Sequence, residues 1–168
     1  METVQKRNCV LDKEAIVRKM KRMALQIAEQ NHGEKKLVIA GVNGNGAVVA
    51  KSLIDQLQNF TTLQIEFVLI RLNKREPANV QFEPETDLQQ QTVILVDDVA
   101  NTGRTMLYAL KPFLLQQPKK IQTLVLVERS HKLFPIQTDY AGLSIATTLQ
   151  EHITVETEGN TITGAWLF

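Results

Sequence analysis

The sequence predicts an α/β fold: a parallel central sheet with helices on both faces, closed by a small cap built from the irregular ends of the chain. Three observations carry this. Short apolar runs rich in valine, isoleucine and leucine, at residues 37–40, 93–96 and 123–127, have the length and composition of buried strands. Segments with apolar residues at helical spacing separate them, and that alternation favours parallel pairing. One unit, Val93 to Met106, runs from an apolar strand through two adjacent carboxylates and a Thr-Gly-Arg-Thr turn into a helical pattern.

Taken in order, Asp12 reads as an N-cap, after which Ile16, Met20, Met23, Ala24, Ile27 and Ala28 share one helical face. Asn31-His32-Gly33 ends that helix. The strand at 37–40 leads through a Gly/Asn turn to a helix over 47–58, with Val48, Val49, Leu53 and Leu57 spaced to pack on the sheet. Residues 63–72 alternate as a strand does. Asn73 to Gln91 is polar, carries two prolines and lacks periodicity. A loop of that length in a compact domain is expected to be a functional lid or disordered. The strand ending in Asp97 and Asp98 follows, then a helix from about Gly103 to Leu115, broken before Pro118. Beyond the strand at 123–127, Ser144-Ile145-Ala146 is a short core strand, and 151–168 forms a hairpin around Glu158-Gly159-Asn160.

A chain of 168 residues is one domain (1–168) able to bury a core without disulfides. With a formal charge of +1, nothing global argues for nucleic acid or a membrane, so any such binding must come from a local patch. The single Cys9 forms no disulfide framework, which suits a reducing, cytoplasmic setting. The polar opening Met1 to Arg7 offers no signal-peptide pattern, and no run approaches the roughly 20 apolar residues of a membrane span.

The chemistry concentrates at Val93 to Met106. A buried strand delivers Asp97 and Asp98 to its C-terminal edge, where α/β sheets bind ligands. The turn behind it offers backbone N–H groups, the hydroxyls of Thr102 and Thr105, the Arg104 guanidinium and a helix N-terminus to an anion. Acids for a polyol beside a cradle for a phosphate imply a phosphorylated sugar. Paired acids at a strand end can also cap a helix, hold a metal or belong to a receiver-like signalling domain. Receiver domains, however, place the pair near the first strand and lack the turn. Gly41-Val42-Asn43-Gly44-Asn45-Gly46 matches neither the dinucleotide pattern nor a P-loop and reads by itself as a tight turn. Arg18, Lys19, Lys21 and Arg22 lie opposite the apolar stripe of the first helix, as a solvated basic face does.

Together these residues resemble the type I phosphoribosyltransferases. Within that family they resemble the bifunctional pyrimidine-operon attenuators that are also uracil phosphoribosyltransferases. The resemblance takes in Val10-Leu11-Asp12, Gly41-Val42 with Gly46, Arg71, Val93 to Met106, Ile121 to Lys132, Leu133-Phe134-Pro135-Ile136 and Asp139-Tyr140-Ala141-Gly142. It implies Mg2+-dependent transfer of the phosphoribosyl group of phosphoribosyl diphosphate (PRPP) to a nucleobase, uracil foremost, with release of pyrophosphate. Asp97 and Asp98 would then hold the ribose 2- and 3-hydroxyls and favour the positive charge that builds on the sugar at C1. Ala100, Asn101, Thr102, Gly103, Arg104 and Thr105 would take the 5-phosphate. Gly41, Val42, Asn43 and Gly44 would form the pyrophosphate loop, although the attenuators carry Lys and Arg where this chain has Asn43 and Asn45.

Arg71 matches the catalytic arginine that opens a flexible loop, but Leu72 and Asn73 stand where acids are expected, with Lys74 and Arg75 close behind. Asn101 replaces the carboxylate of the purine enzymes and, being an amide, disfavours a purine. Base contacts are implied for the cap, called the hood in the family, and for Tyr140, Ala141 and Gly142, which Leu143 follows in place of a lysine. A homo-oligomer, dimer or larger, is implied as well. The alternative reading is a regulator that binds messenger RNA through Arg18, Lys19 and Arg22 and senses PRPP or a nucleotide with little turnover.

Overall fold

The computed structural model describes residues 7–168; the polar opening, residues 1–6, lies outside the described residues. Nine strands and three helices follow in the order β1 (Asn8–Leu11), α1 (Lys13–Gln30), β2 (Lys36–Val42), α2 (Asn45–Leu57), β3 (Gln64–Leu72), β4 (Val80–Glu83), β5 (Thr92–Ala100), α3 (Arg104–Leu115), β6 (Lys120–Arg129), β7 (Tyr140–Ile145), β8 (Ile153–Glu158) and β9 (Thr161–Leu167). They form a six-stranded sheet, β4-β3-β2-β5-β6-β7, and a three-stranded one, β1-β9-β8. Only β4 runs antiparallel in the larger sheet.

Strict alternation along the central strands divides the interior in two. Leu37, Ile39, Ile94, Val96, Leu124 and Leu126 face a core shared with α1, α2 and the small sheet. Val38, Ala40, Val93, Leu95 and Val125 face a second core built with α3 and the β3–β4 hairpin. Burial on both faces explains why these strands read as continuous apolar runs. α1 starts where the Asp12 carboxylate accepts from the Ala15 amide at 2.7 Å, and its buried stripe is Ile16, Met20, Met23, Ala24 and Ile27. It stops at Asn31, whose side chain returns to the Ile27 carbonyl at 2.9 Å.

The order of strands sets the position of the site. From β2 the chain crosses to β3 on one side, and from β5 it crosses to β6 on the other. The segments leaving β2 and β5 diverge and open a crevice at the C-terminal ends of these two strands, where open α/β sheets bind ligands. Both chain ends meet above it, because β1 joins β9 and β8 to form the cap.

Two expectations are corrected. Residues 73–91 do not form one long free loop. β4 pairs with β3, and Phe82 packs against Phe113 of α3 with the rings tilted by 45° and their centroids 4.8 Å apart. Leu88 is fully buried, with its amide held by the Gln116 side chain at 2.7 Å. Four strand residues with two apolar side chains are too weak a pattern to stand out in a polar stretch. The strand expected at 144–146 begins instead at Tyr140 and ends at Ile145. Gly142 disguised it, since glycine is a poor strand former.

Candidate active site

β5 is buried through its two acids, with Asp97 only 1% exposed and Asp98 9%. Each carboxylate folds back on the chain: Asp97 accepts from the Asp98 amide and Asp98 from the Val99 amide, both at 2.9 Å. The Cβ that Gly46 lacks would stand 2.8 Å from the Asp97 carboxylate, so α2 can pass this close only with glycine there. Burial, and after it the charge of Asp98, pushes the Asp97 carboxyl up to about 8, partly offset by the Lys74 ammonium. Lys74 Nζ lies 3.5 Å from Asp97 and 3.8 Å from Asp98. Burial works to lower the Lys74 pKa, but the two acids outweigh it and hold that pKa above its ordinary value.

The turn after β5 is braced from behind. Leu133 and Phe134 donate their amides to the Thr102 carbonyl, both at 3.0 Å, and the Thr102 hydroxyl accepts from the Arg104 amide at 3.2 Å. Gly103, at φ +82°, occupies the N-cap of α3. The first turn of a helix leaves N–H groups without intrahelical acceptors, and Arg104 to Met106 of that turn line the cavity that holds the acids. Ala100, Asn101, Thr102, Gly103, Arg104 and Thr105 all line the same cavity of about 210 Å³ as Asp97 and Asp98. Lys74 and the cap strand residues Ile153, Thr154 and Val155 complete it. The Asn101 side-chain oxygen is buried there without a partner.

Arg71 is not brought to the acid pair. It is exposed, paired with Glu83 across the β3–β4 hairpin, and lines a separate groove with Asn43, Asn73, Glu76 and Gln81. Gly41 and Val42 end β2, and Gly44 makes the turn into α2 at φ +87°. Both asparagines of this turn carry structural duties. Asn43 accepts from the Leu72 amide at 3.1 Å. Asn45 donates to the Val155 carbonyl at 2.8 Å and accepts from the Thr157 hydroxyl at 3.0 Å, so it ties the start of α2 to the cap.

Tyr140, Ala141 and Gly142 belong to packing rather than to the cavity. The Tyr140 phenol is 2% exposed and donates to Gln30 at 2.7 Å. The Ala141 and Gly142 carbonyls, on an edge strand, accept from Arg22 at 2.7 and 3.2 Å. Arg22 is thereby committed to that edge, while Arg18 stays exposed beside Glu14 and Lys19 is half-buried. A Cβ on Gly142 would stand 2.4 Å from the Leu126 carbonyl oxygen. Gly142→Ala is therefore expected to destabilise the fold by about 2 kcal/mol, read as a lower urea midpoint. The cavity residues missed in the sequence are Ile153, Thr154 and Val155. Their alternation announced a strand but said nothing of what it faces.

The phosphoribosyl transferase domain family matches residues 7–158. The "Bifunctional protein PyrR" of Staphylococcus carnosus is 37% identical, over 89% of this chain and 93% of that protein. Its namesake in Leuconostoc mesenteroides is 32% identical, over 87% and 89%. Among solved structures, the hypoxanthine phosphoribosyltransferase of Trypanosoma cruzi superposes with a TM-score of 0.77 at 18% identity, over 94% of this chain and 95% of that one. A hypoxanthine-guanine phosphoribosyltransferase from Bacillus anthracis gives 0.75 at 18%, over 94% and 96%. These two likenesses concern the fold.

Proposed function

The chain belongs to the phosphoribosyl transferase domain family, and on that premise we propose that it joins PRPP to a nucleobase, uracil first, with release of pyrophosphate. The observation that carries this reading is the single cavity in which the buried acid pair faces the braced, glycine-capped turn, beneath a strand of the cap. The turn and the first amides of α3 take the 5-phosphate, and Asp97 and Asp98 accept from the ribose hydroxyls. As the bond from C1 to the diphosphate oxygen breaks, positive charge grows on the sugar within reach of the carboxylates, which stabilise it. The new bond forms from C1 to a ring nitrogen, whose proton passes to solvent. No covalent enzyme intermediate is required, and positioning the two reactants supplies much of the acceleration.

Bound with the substrate's diphosphate, Mg2+ would neutralise the charge of the leaving group. Arg71 and Asn43, which share one groove, lie on the side where the diphosphate would leave. The base sits between Asn101 and the cap strand β8, and the Asn101 amide cannot take a proton from a purine ring. PRPP is too highly charged to cross a bilayer, so a cytoplasmic location goes with this reading. No helix among the described residues is long and apolar enough to cross a membrane. Exposed Leu114 and Leu115 on α3 favour assembly into a dimer or larger, which sedimentation would measure.

The test is incubation of the protein with PRPP, Mg2+ and a panel of radiolabelled bases. Uridine monophosphate is expected from uracil, with little product from hypoxanthine or guanine. Absence of product with every base would overturn the reading.

One observation favours a second reading, a regulator that binds messenger RNA and senses PRPP. Asn43 and Asn45 place no positive charge on the pyrophosphate loop, and both carry structural duties. Arg18 and Lys19 would contact phosphates, and such binding weakens steeply with salt. A salt-sensitive gel shift lost in Arg18→Ala, combined with PRPP binding but no turnover, would establish it.

A further inference from the structure

Lys74 stands outside the turn and the acid pair, yet it is the sole cation within 4 Å of either acid among the described residues. It comes from the short segment between β3 and β4, and its side chain is 46% exposed while that of Asp97 is 1% exposed. The other elements around the pair offer little charge. α2 presents Gly46, the cap presents Ile153, Thr154 and Val155, and β6 presents valines at the positions paired with Asp97 and Val99. Arg104 lines the cavity from the start of α3, and Lys132 is engaged by Glu128 at 2.8 Å.

We propose that Lys74 is a positioning residue: a tethered cation that balances the charge of the Asp97–Asp98 pair and gives way when the hydroxyls of the pentose arrive. Two buried carboxylates side by side repel each other and lack water, which favours a proton on one of them, and a cation close by opposes this. An ammonium on a flexible stem supplies that charge without fixing a rigid pair. Its ammonium stands 3.5 Å from Asp97 and 3.8 Å from Asp98, within the space that hydroxyls bound to these carboxylates need, so one replaces the other. Entry of the sugar therefore requires the ammonium to move, and with it the segment from Asn73 to Asn79. This inference rests on the proposed function for the identity of the sugar, and on geometry alone for the charge balance.

Carbon-13 NMR of the aspartate side chains, recorded against pH with no substrate added, tests the charge balance. In Lys74→Met the Asp97 midpoint is expected to rise by about one pH unit or more, and Lys74→Arg should restore it. A midpoint unmoved in Lys74→Met overturns the proposal. Calorimetry with ribose 5-phosphate at pH 6.5, where the pair holds one proton in parent and variant alike, tests the displacement. Lys74→Met is expected to bind this probe about 3- to 10-fold more tightly, because no ammonium has to leave. Equal or weaker binding overturns displacement. If neither protein binds ribose 5-phosphate, displacement and the proposed function fail together, whereas the carboxylate titration, which needs no sugar, still judges the charge balance.

Discussion

The double substitution Asp97→Asn/Asp98→Asn is expected to lower phosphoribosyl transfer by about 10³-fold or more, while leaving a protein that is more heat-resistant than its parent at pH 9. The loss follows from removing the negative charge of the acid pair that faces the developing cation at C1, since a single preorganised electrostatic group is worth about 10²–10³. The gain follows from the burial of Asp97. Its carboxyl is pushed up to about 8 in the folded protein, against an ordinary value of 3.8 in the unfolded chain. Between those two pH values the folded protein holds a proton that unfolding releases. Stability therefore falls as pH rises through this window, and the whole cost is present above about pH 8. A shift of that size corresponds to about 6 kcal/mol.

Asparagine replaces a costly buried charge by a neutral group of the same shape, and Lys74, left without its partners, can turn its half-exposed ammonium to water. At pH 5 Asp97 is already neutral in the folded protein, so the gain should shrink to about a quarter. Melting curves of parent and variant at pH 5 and pH 9 provide the check. An equal gain at both pH values would refute the burial argument, and undiminished transfer would remove the acids from the mechanism.

The parts of this site that the sequence announced are those carried by one continuous segment. Val93 to Met106 holds strand, acids, turn and helix start, and its residues from Asp97 to Met106 line one cavity. Elements whose burial is complete were equally legible, because Leu37 to Ala40 and Thr123 to Val127 must be apolar on both faces. What escaped notice depends on distant pairing. β4 exists because Phe82 meets Phe113, and no local pattern records that contact. The resemblance implies a base contact for Tyr140, and no local pattern records that its hydroxyl donates to Gln30, 110 positions earlier in the chain. Arg22 likewise looked like a free basic group, and it serves the open edge of β7. Ile153, Thr154 and Val155 enter the cavity only because Asn45 and the β1–β9 pairing draw the cap over β5.

Gly103→Ala is the substitution expected to separate the phosphate turn from the rest of the site. Two independent costs meet at this residue. Its φ of +82° lies in the left-handed region, where an alanine costs about 1–2 kcal/mol. An added Cβ would also stand 2.3 Å from Cγ2 of Ile136, with the Phe134 carbonyl oxygen at 3.4 Å. The neighbour cannot simply retreat, because Leu133 and Phe134 of the same segment are hydrogen-bonded to the Thr102 carbonyl. Relief must come from moving the turn, which misaims its amides, and hydrogen bonds to a charged group are worth about 1.5–3 kcal/mol each. A stability loss of about 3 kcal/mol is expected, with ribose 5-phosphate binding weakened at least about 10-fold.

Gly44→Ala is the control. At φ +87° and ψ −136° it also holds a conformation that favours glycine, at a cost of about 1–3 kcal/mol to an alanine, but nothing lies within 4 Å of its Cβ, so that is its whole cost. Adding Ile136→Ala to Gly103→Ala should return ribose 5-phosphate binding toward that of the Ile136→Ala protein by removing the methyl that clashes. If Gly103→Ala binds the sugar phosphate as well as the parent does, the turn after β5 is not where the phosphate sits.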